Sequence, residues 1–381
     1  MKEINSSKKP TLKEAVFILL TVIGVILICI SSALVLETAL VLGTITAALF
    51  SVYLGYQWSE IEEGLLEGIQ HGLGACIILI IIGMVIGTWI LGGTIQTMLF
   101  YGLKLLSPEI FLPVSFILGA IVSLLIGSSF GTIATIGIVL MGVAEGLGVP
   151  GPITAGAVVS GAIFGDKMSP MSDSTNLAAA MSGTGLFEHI KSMLYVSGPT
   201  VIISLTIYTW LGQAQMADNV NLATVERILT NLQTNFNISL LTLIPPLLMI
   251  ILSVLKVPAL ISLSASFLTA AAFAMITQGA SFATILDIAA NGYVADTGYK
   301  LIDNLLTQGG INNMMSTVAI IMAGTAMGGI LEKNGVLNVL LESLLGYIKN
   351  PRDLIISTLI SAYIMLFATG EMMVSMIIPG R

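Results

Sequence analysis

Apolar runs long enough to cross a bilayer recur along the whole of this 381-residue chain. Because a helix needs about 20 predominantly apolar residues to cross the hydrocarbon core, each long run predicts a membrane-spanning helix. Only 9% of the residues are charged, whereas soluble domains carry about 25%. The short alternating segments of a transmembrane barrel are absent from the sequence. The pattern therefore predicts an all-α polytopic membrane protein and excludes a soluble globular domain.

Positive charge is concentrated before the first apolar run, at Lys2, Lys8, Lys9 and Lys13. By the positive-inside rule, residues 1–14 are predicted to be a cytoplasmic tail. The expected location of the protein is the cell inner membrane. The first apolar run has no small-residue cleavage site and continues into a full span, so it is interpreted as an anchor rather than a signal peptide. The apolar spans make membrane lipid a predicted partner. Nucleic acid is not a predicted partner, because no basic cluster is interleaved with aromatic residues.

A polar window at residues 161–176 interrupts the apolar pattern. The apolar run before it, residues 152–164, spans only about 20 Å, which is short of the hydrocarbon core. Gly165 and Pro170 are expected to break the helix there. The pattern predicts two half-helices joined by an irregular polar link, as in the midplane ion sites of secondary transporters. The polar side chains of the window are Asp166, Lys167, Ser169, Ser172, Asp173, Ser174, Thr175 and Asn176.

The oxygen-rich chemistry of this window indicates a site for a hard cation such as sodium. Asp166 and Asp173 are the predicted sodium ligands, because a carboxylate binds either a cation or a proton and two close carboxylates can share that task. The alternative for Asp166 is that it caps a half-helix. Further oxygen ligands are expected from Ser169, Ser172, Thr175 and Asn176.

A second group of small and hydroxyl residues lies at residues 127–135. The apolar runs on both sides are taken to be too short to cross alone, and irregular backbone at membrane depth needs protein or water around it. One interpretation is a re-entrant hairpin with Ser128, Ser129 and Thr132 at its tip. The other, equally weighted, is that these hydroxyls pack one helix against another. Glu371 is the corresponding tip residue in the second half of the chain.

The two halves of the sequence resemble each other weakly. The pair Gly83 and Gly87 matches Gly324 and Gly328, and loops and apolar runs follow in the same order at a similar offset. This agreement is expected for a transporter built from repeats. The counterpart of the polar window would lie beyond residue 381, so the second repeat is expected to be incomplete, and an inactive truncated fragment is one reading. The predicted segments are a first repeat with a linking helix at 15–211, an extramembrane connection at 212–237 and a second repeat at 238–381.

The polar window and the residues after it resemble a known family. Residues 165–176 (Gly-Asp-Lys-Met-Ser-Pro-Met-Ser-Asp-Ser-Thr-Asn) and residues 183–190 (Gly-Thr-Gly-Leu-Phe-Glu-His-Ile) are similar to the NhaC-type sodium/proton antiporters, which include malate/lactate antiporters. The similarity extends to residues 331–335 and 379–381. It implies an ion-transporter-superfamily fold with inverted repeats, re-entrant hairpins and broken helices, and by analogy a homodimer. Gly185 stands where family members often have aspartate, and the family's C-terminal quarter is absent.

Three functions follow as hypotheses. The first is exchange of sodium for protons. The second adds a small organic acid, such as malate exchanged for lactate, held at half-helix N-termini. The third is an intramembrane aspartyl protease using Asp166, which is disfavoured because Ile163 stands where the Gly-x-Gly-Asp motif requires glycine. Two cysteines and two histidines, widely separated, predict neither a disulfide framework nor a metal cofactor.

Overall fold

The computed structural model describes residues 9–170, 172–215, 222–255, 257–345 and 350–369. Within these ranges the chain is helical, and the β structure there is one isolated bridge between Tyr293 and Gln308. The helices are α1 Leu12–Ser31, α2 Leu36–Tyr53, α3 Trp58–Leu91, α4 Thr94–Leu105, α5 Pro108–Ile126, α6 Ser129–Thr132, a π-helix Ile133–Gly137, α7 Ile138–Leu147, α8 Gly151–Met168, α9 Asp173–Met181, α10 Leu186–Gln215, α11 Leu222–Asn235, a 3₁₀ helix Leu240–Leu243, α12 Ile244–Val254, α13 Ala259–Gln278, α14 Phe282–Asn291, α15 Lys300–Leu306, α16 Ile311–Lys333, α17 Val336–Leu345 and α18 Pro351–Thr369.

The described ranges contain 8 helices that are long and apolar enough to cross a membrane. A further pair, Val225–Asn235 and Leu240–Leu252, meets the same test together but is bent by 96°. On α10, large side chains such as Ile202, Ile203 and Trp210 are exposed, and a face of this kind is stable against lipid rather than water. The prediction of an all-α, multi-pass membrane protein is confirmed. The predicted inverted repeats and segment boundaries stay predictions.

The chain divides into two compact units that are not continuous in sequence. The first contains residues 1–77, 180–183 and 316–381, and the second contains residues 78–179 and 184–315. The 34-residue helix α3 contributes to both.

In the first unit, α3 packs closely on α16. A Cβ atom on Gly68 of α3 would collide with the carbonyl oxygen of Thr325 on α16, so glycine permits this approach of two backbones. Beyond the contact, Lys333 Nζ lies 3.2 Å from Glu63 and 3.3 Å from Glu67. The acidic start of α3 is thereby joined to the C-terminal end of α16, where a cation also complements the helix dipole.

In the second unit, α5 and α8 run parallel in close contact. A Cβ atom on Gly161 would collide with the Phe116 carbonyl oxygen, and one on Gly165 would collide with that of Ala120. The prediction that Gly165 breaks the helix is wrong, because α8 continues to Met168 and Gly165 instead allows the two backbones to touch. Both glycines face the same neighbouring helix, which fixes the position of the residues that follow on α8.

The prediction for Pro170 agrees with the backbone, because this residue lies between the end of α8 and the start of α9. Ser169, which precedes it, has an extended conformation with φ −79° and ψ 126°. Proline disfavours the helical conformation in the residue before it, which explains why α8 stops at Met168.

The premise behind the re-entrant hairpin is wrong. The helix before Gly127 has 19 residues because it begins at Pro108, and the segment Ser129–Leu147 also has 19 residues. Each is long enough to cross the membrane on its own. Gly127 has a left-handed φ of 72° and Ser128 caps the next helix, so these two residues form a turn between two long helices. The predicted tip residues Ser129 and Thr132 lie in the first turn of the second helix.

Replacing Gly165 with alanine is expected to destabilise the protein by about 1–3 kcal/mol, because the added methyl group has no room beside the Ala120 carbonyl. The measurement is the thermal unfolding midpoint of the purified protein in detergent. Gly156→Ala is the matched control on the same helix, since its Cβ would meet only the Tyr208 hydroxyl at 3.5 Å. Equal midpoints for the two variants would contradict the close packing of α5 on α8.

Candidate functional site

The break between α8 and α9 encloses a set of buried polar side chains. Asp166 is only 5% exposed, and it occupies the last turn of α8. Ser169, Ser172 and Thr175 are also buried, although they stand in or beside an irregular link. Burying a carboxylate away from water is costly unless hydrogen bonds or an opposite charge compensate it.

Ser129 supplies one compensating contact from a different part of the chain. Its hydroxyl donates a hydrogen bond of 3.0 Å to Oδ2 of Asp166, and the Ser129 side chain is itself buried. This bond connects residues 127–135 with residues 161–176, the two polar groups that the sequence singled out separately. A carboxylate can accept about four hydrogen bonds, so one donor does not saturate it.

Thr175 holds the end of α8 against the start of α9. Its hydroxyl lies 3.2 Å from the carbonyl oxygen of Asp166 and 3.1 Å from that of Lys167. These carbonyls belong to the last turn of α8, where i→i+4 donors run out. The Asp166 carbonyl also accepts from the Ser169 backbone N–H at 3.0 Å. Thr175 was predicted to be a sodium ligand, and its hydroxyl instead bonds to the backbone carbonyls at the end of α8.

Asn176 and the serines complete the link. The side-chain Nδ2 of Asn176 donates to the carbonyl oxygens of Pro170, at 3.0 Å, and Ser172, at 2.8 Å. These bonds connect the start of α9 to the link that precedes it. The hydroxyl groups of Ser172 and Ser174 are 2.9 Å apart. Side-chain hydrogen bonds thus replace the helical ones across the break.

Lys167 brings a positive charge to the same region. It is partly buried, follows Asp166 on α8, and its Nζ lies 3.4 Å from the Ser174 hydroxyl. A half-buried ammonium beside a buried carboxylate offsets part of that negative charge.

Two predicted residues have no described side chain. Asp173 begins α9, but its side chain lies outside the described residues, and Glu371 lies wholly outside them.

The predicted tip residues Ser128 and Thr132 have contacts within their own segment. Ser128 accepts a hydrogen bond from the Gly131 backbone N–H, and the Thr132 hydroxyl donates to the Ser128 carbonyl. These two residues shape the turn that carries Ser129.

A π-helix at Ile133–Gly137 follows that turn, and sequence reasoning did not anticipate it. Single π-turns inside α-helices often occur at functional sites. The Thr135 hydroxyl donates to the Gly131 carbonyl at 2.6 Å, within the same segment. The dense small and hydroxyl residues at 127–135 were the available signal, but they do not specify the hydrogen-bond register.

The described residues offer no group of three or more histidine, cysteine, aspartate or glutamate side chains that could hold a metal ion. The oxygens near the break come from one described carboxylate, several hydroxyls and backbone carbonyls. Such a set suits a proton or a hard monovalent cation better than a transition metal.

Comparison with known proteins agrees with this chemistry. The model of the Na+/H+ antiporter family matches residues 9–167 and 161–381. The Na+/H+ antiporter NhaC of Alkalihalophilus pseudofirmus is 36% identical over 97% of this chain and 81% of the relative. The malate-2H+/Na+-lactate antiporter of Bacillus subtilis is 36% identical over 100% of this chain and 81% of the relative. The arginine/ornithine antiporter ArcD of Halobacterium salinarum is 35% identical over 86% of this chain and 68% of the relative.

No solved structure gives a significant match. The match to the family model nevertheless covers nearly the whole sequence, and relatives above 30% identity cover most of it. This chain therefore belongs to the Na+/H+ antiporter family.

Proposed function

We propose that this protein exchanges sodium ions for protons across the cell inner membrane, with its N-terminus in the cytoplasm, and that the two ions compete for Asp166. The observation that carries the proposal is the buried carboxylate of Asp166, held by the Ser129 hydroxyl beside the break between α8 and α9. The names of the relatives support sodium and protons as the transported ions.

The mechanism follows from the cost of an uncompensated charge. A buried carboxylate is most stable when either a proton or a cation neutralises it. The proton-bound and sodium-bound forms are therefore favoured over the form that binds neither ion. If the site can move from one side of the membrane to the other only when an ion is bound, the fluxes of sodium and protons are coupled. Lys167 is the proposed internal counter-ion of the empty form, and Asp173 the proposed second carboxylate.

The contacts of the link assign different tasks to the other residues. Thr175 and Asn176 stabilise the break in the helix, because their side chains donate hydrogen bonds to backbone carbonyls there. Ser169 and Ser172 are the proposed neutral ligands, because both are buried in the link. Backbone carbonyls freed where a helix unwinds are common sodium ligands in transporters.

Asp166→Asn is expected to abolish sodium-dependent proton movement, because the neutral amide can neither take up a proton nor balance a cation. Ser129→Ala is expected to raise the sodium concentration needed for half-maximal exchange about tenfold, because loss of one charge-assisted hydrogen bond disfavours the charged form. The measurement is sodium-induced dequenching of a pH-sensitive dye in everted vesicles. Ser160→Ala is the matched control, since its hydroxyl bonds elsewhere on α8 and to Tyr208. Normal exchange by Asp166→Asn would refute the assignment.

Competition at one carboxylate also predicts a pH dependence. Because metal binding displaces a proton, each unit of falling pH is expected to weaken the apparent sodium affinity by up to about tenfold. At saturating sodium the maximal rate should change less than the affinity. Initial rates in proteoliposomes over a grid of pH and sodium concentration measure both quantities. A sodium affinity that is independent of pH would exclude competition for a shared group.

A second candidate is sodium- and proton-coupled exchange of small organic acids. It is favoured by the similarity to the malate/lactate antiporter of Bacillus subtilis and by the partly buried ammonium group of Lys167 beside the link. A cation at that position could pair with a substrate carboxylate.

Labelled malate uptake into lactate-loaded proteoliposomes separates the two candidates. Simple sodium/proton exchange predicts no uptake above protein-free liposomes, with proton movement unaffected by either acid. Uptake that requires lactate inside, and that Lys167→Gln abolishes, would instead support the organic-acid exchanger. Lys104→Gln, on α4, is the matched control for the loss of one positive charge.

A further inference from the structure

A second break in the helices of the second unit lies between α3 and α4. It consists of Gly92 and Gly93, and Gly93 has a left-handed φ of 83°. A Cβ on Gly92 would stand 3.4 Å from the Ala270 carbonyl of α13, and one on Gly93 would stand 3.6 Å from the Asn237 carbonyl. Other backbone segments therefore surround this break closely.

Buried polar side chains lie near the break and form two separate sets of hydrogen bonds. The Thr94 hydroxyl donates to the Thr242 carbonyl at 2.7 Å, and the Thr242 hydroxyl donates to that of Thr97 at 2.8 Å. The indole N–H of Trp89 donates to the Ser266 hydroxyl at 3.1 Å. The result is an uncharged polar cluster that sequence analysis did not identify.

A buried acceptor at the same break has no partner among the described residues. Gln96 is fully buried, and its Nε2 donates to the Ile90 carbonyl at 2.9 Å, so its carboxamide reaches back to the last turn of α3. Its Oε1 is buried and accepts no hydrogen bond in the described part of the chain. A flipped amide would place that oxygen against the Ile90 carbonyl, so the orientation is determined by the contact.

An unsatisfied buried acceptor of this kind calls for an explanation, and an unseen water or ion is a common one. A carbonyl oxygen can only accept, so its partner must be a proton donor or a cation. In the last turn of α3, the carbonyls of Thr88 and Ile90 accept from the Gly92 and Gly93 backbone N–H groups. Those of Trp89 and Leu91 have no backbone donor in the described part of the chain, and they lie at the negative end of the helix dipole. In transporters, unwound backbone and half-helix C-termini coordinate sodium in this way.

We propose that the break between α3 and α4 binds a second sodium ion, with Gln96 Oε1 as a ligand alongside carbonyl oxygens from the last turn of α3. The choice of cation rests on the proposed sodium/proton exchange. Unlike the Asp166 site, this one contains only neutral oxygens, so binding there releases no proton.

The test is equilibrium binding of ²²Na+ to the purified protein, with wild type, Gln96→Leu, Asp166→Asn and the double variant compared at one pH. We expect two ions per wild-type protomer, one in each single variant and none in the double variant. Gln70→Leu, at an exposed position on α3, is the matched control and should bind two.

Two results would overturn the second site: Gln96→Leu that binds as many ions as wild type, or Asp166→Asn that binds none. The first outcome would mean that a water occupies the position. Failure of the Asp166 proposal looks different, because Asp166→Asn would then bind and exchange normally while Gln96→Leu loses one ion.

The thermal unfolding midpoint of each purified variant in detergent shows whether the leucine variant is folded. In the Asp166→Asn background we expect added sodium to raise the midpoint of the protein that keeps Gln96, because a bound ion stabilises the folded state. Gln96→Leu in the same background should show no such rise, and an equal sodium-dependent rise in both would count against Gln96 as a ligand.

Discussion

The candidate site depends on hydrogen bonds that side chains at the start of α9 donate to backbone carbonyls at the end of α8 and in the link between the two helices. In a membrane, carbonyls left free where a helix stops have no water to turn to, so the protein must satisfy them. Thr175 does so for Asp166 and Lys167, and Asn176 does so for Pro170. The helix can therefore end at this point, and the carboxylate on its last turn keeps a fixed position.

The fold class and the place of the break could be predicted from the sequence because both follow from local signals. Apolar length predicts spans whatever the neighbours are, and Pro170 restricts the residue before it whatever surrounds it. The polar window likewise contrasts with its apolar surroundings, so Asp166 could be proposed as a site residue from the sequence.

Features that depend on packing between distant segments could not be predicted in the same way. The partner of Asp166 is Ser129, 37 positions earlier, and nothing in the spacing pairs them. Gly165 suggested a helix break by its intrinsic preference, but its contact with Ala120 makes it a helix-packing residue. Gln96 stood unnoticed in an apolar stretch, because an unpaired buried atom is visible only in three dimensions.

The π-helix at Ile133–Gly137 has a geometric consequence for the carboxylate. A turn wound with i→i+5 bonds takes up one more residue than an α-helical turn. In regular α-helix, a residue before this segment would stand about 100° further around the helix axis relative to α7. Ser129 would then point away from Asp166, so the register of this one turn determines whether the hydroxyl and the carboxylate can meet.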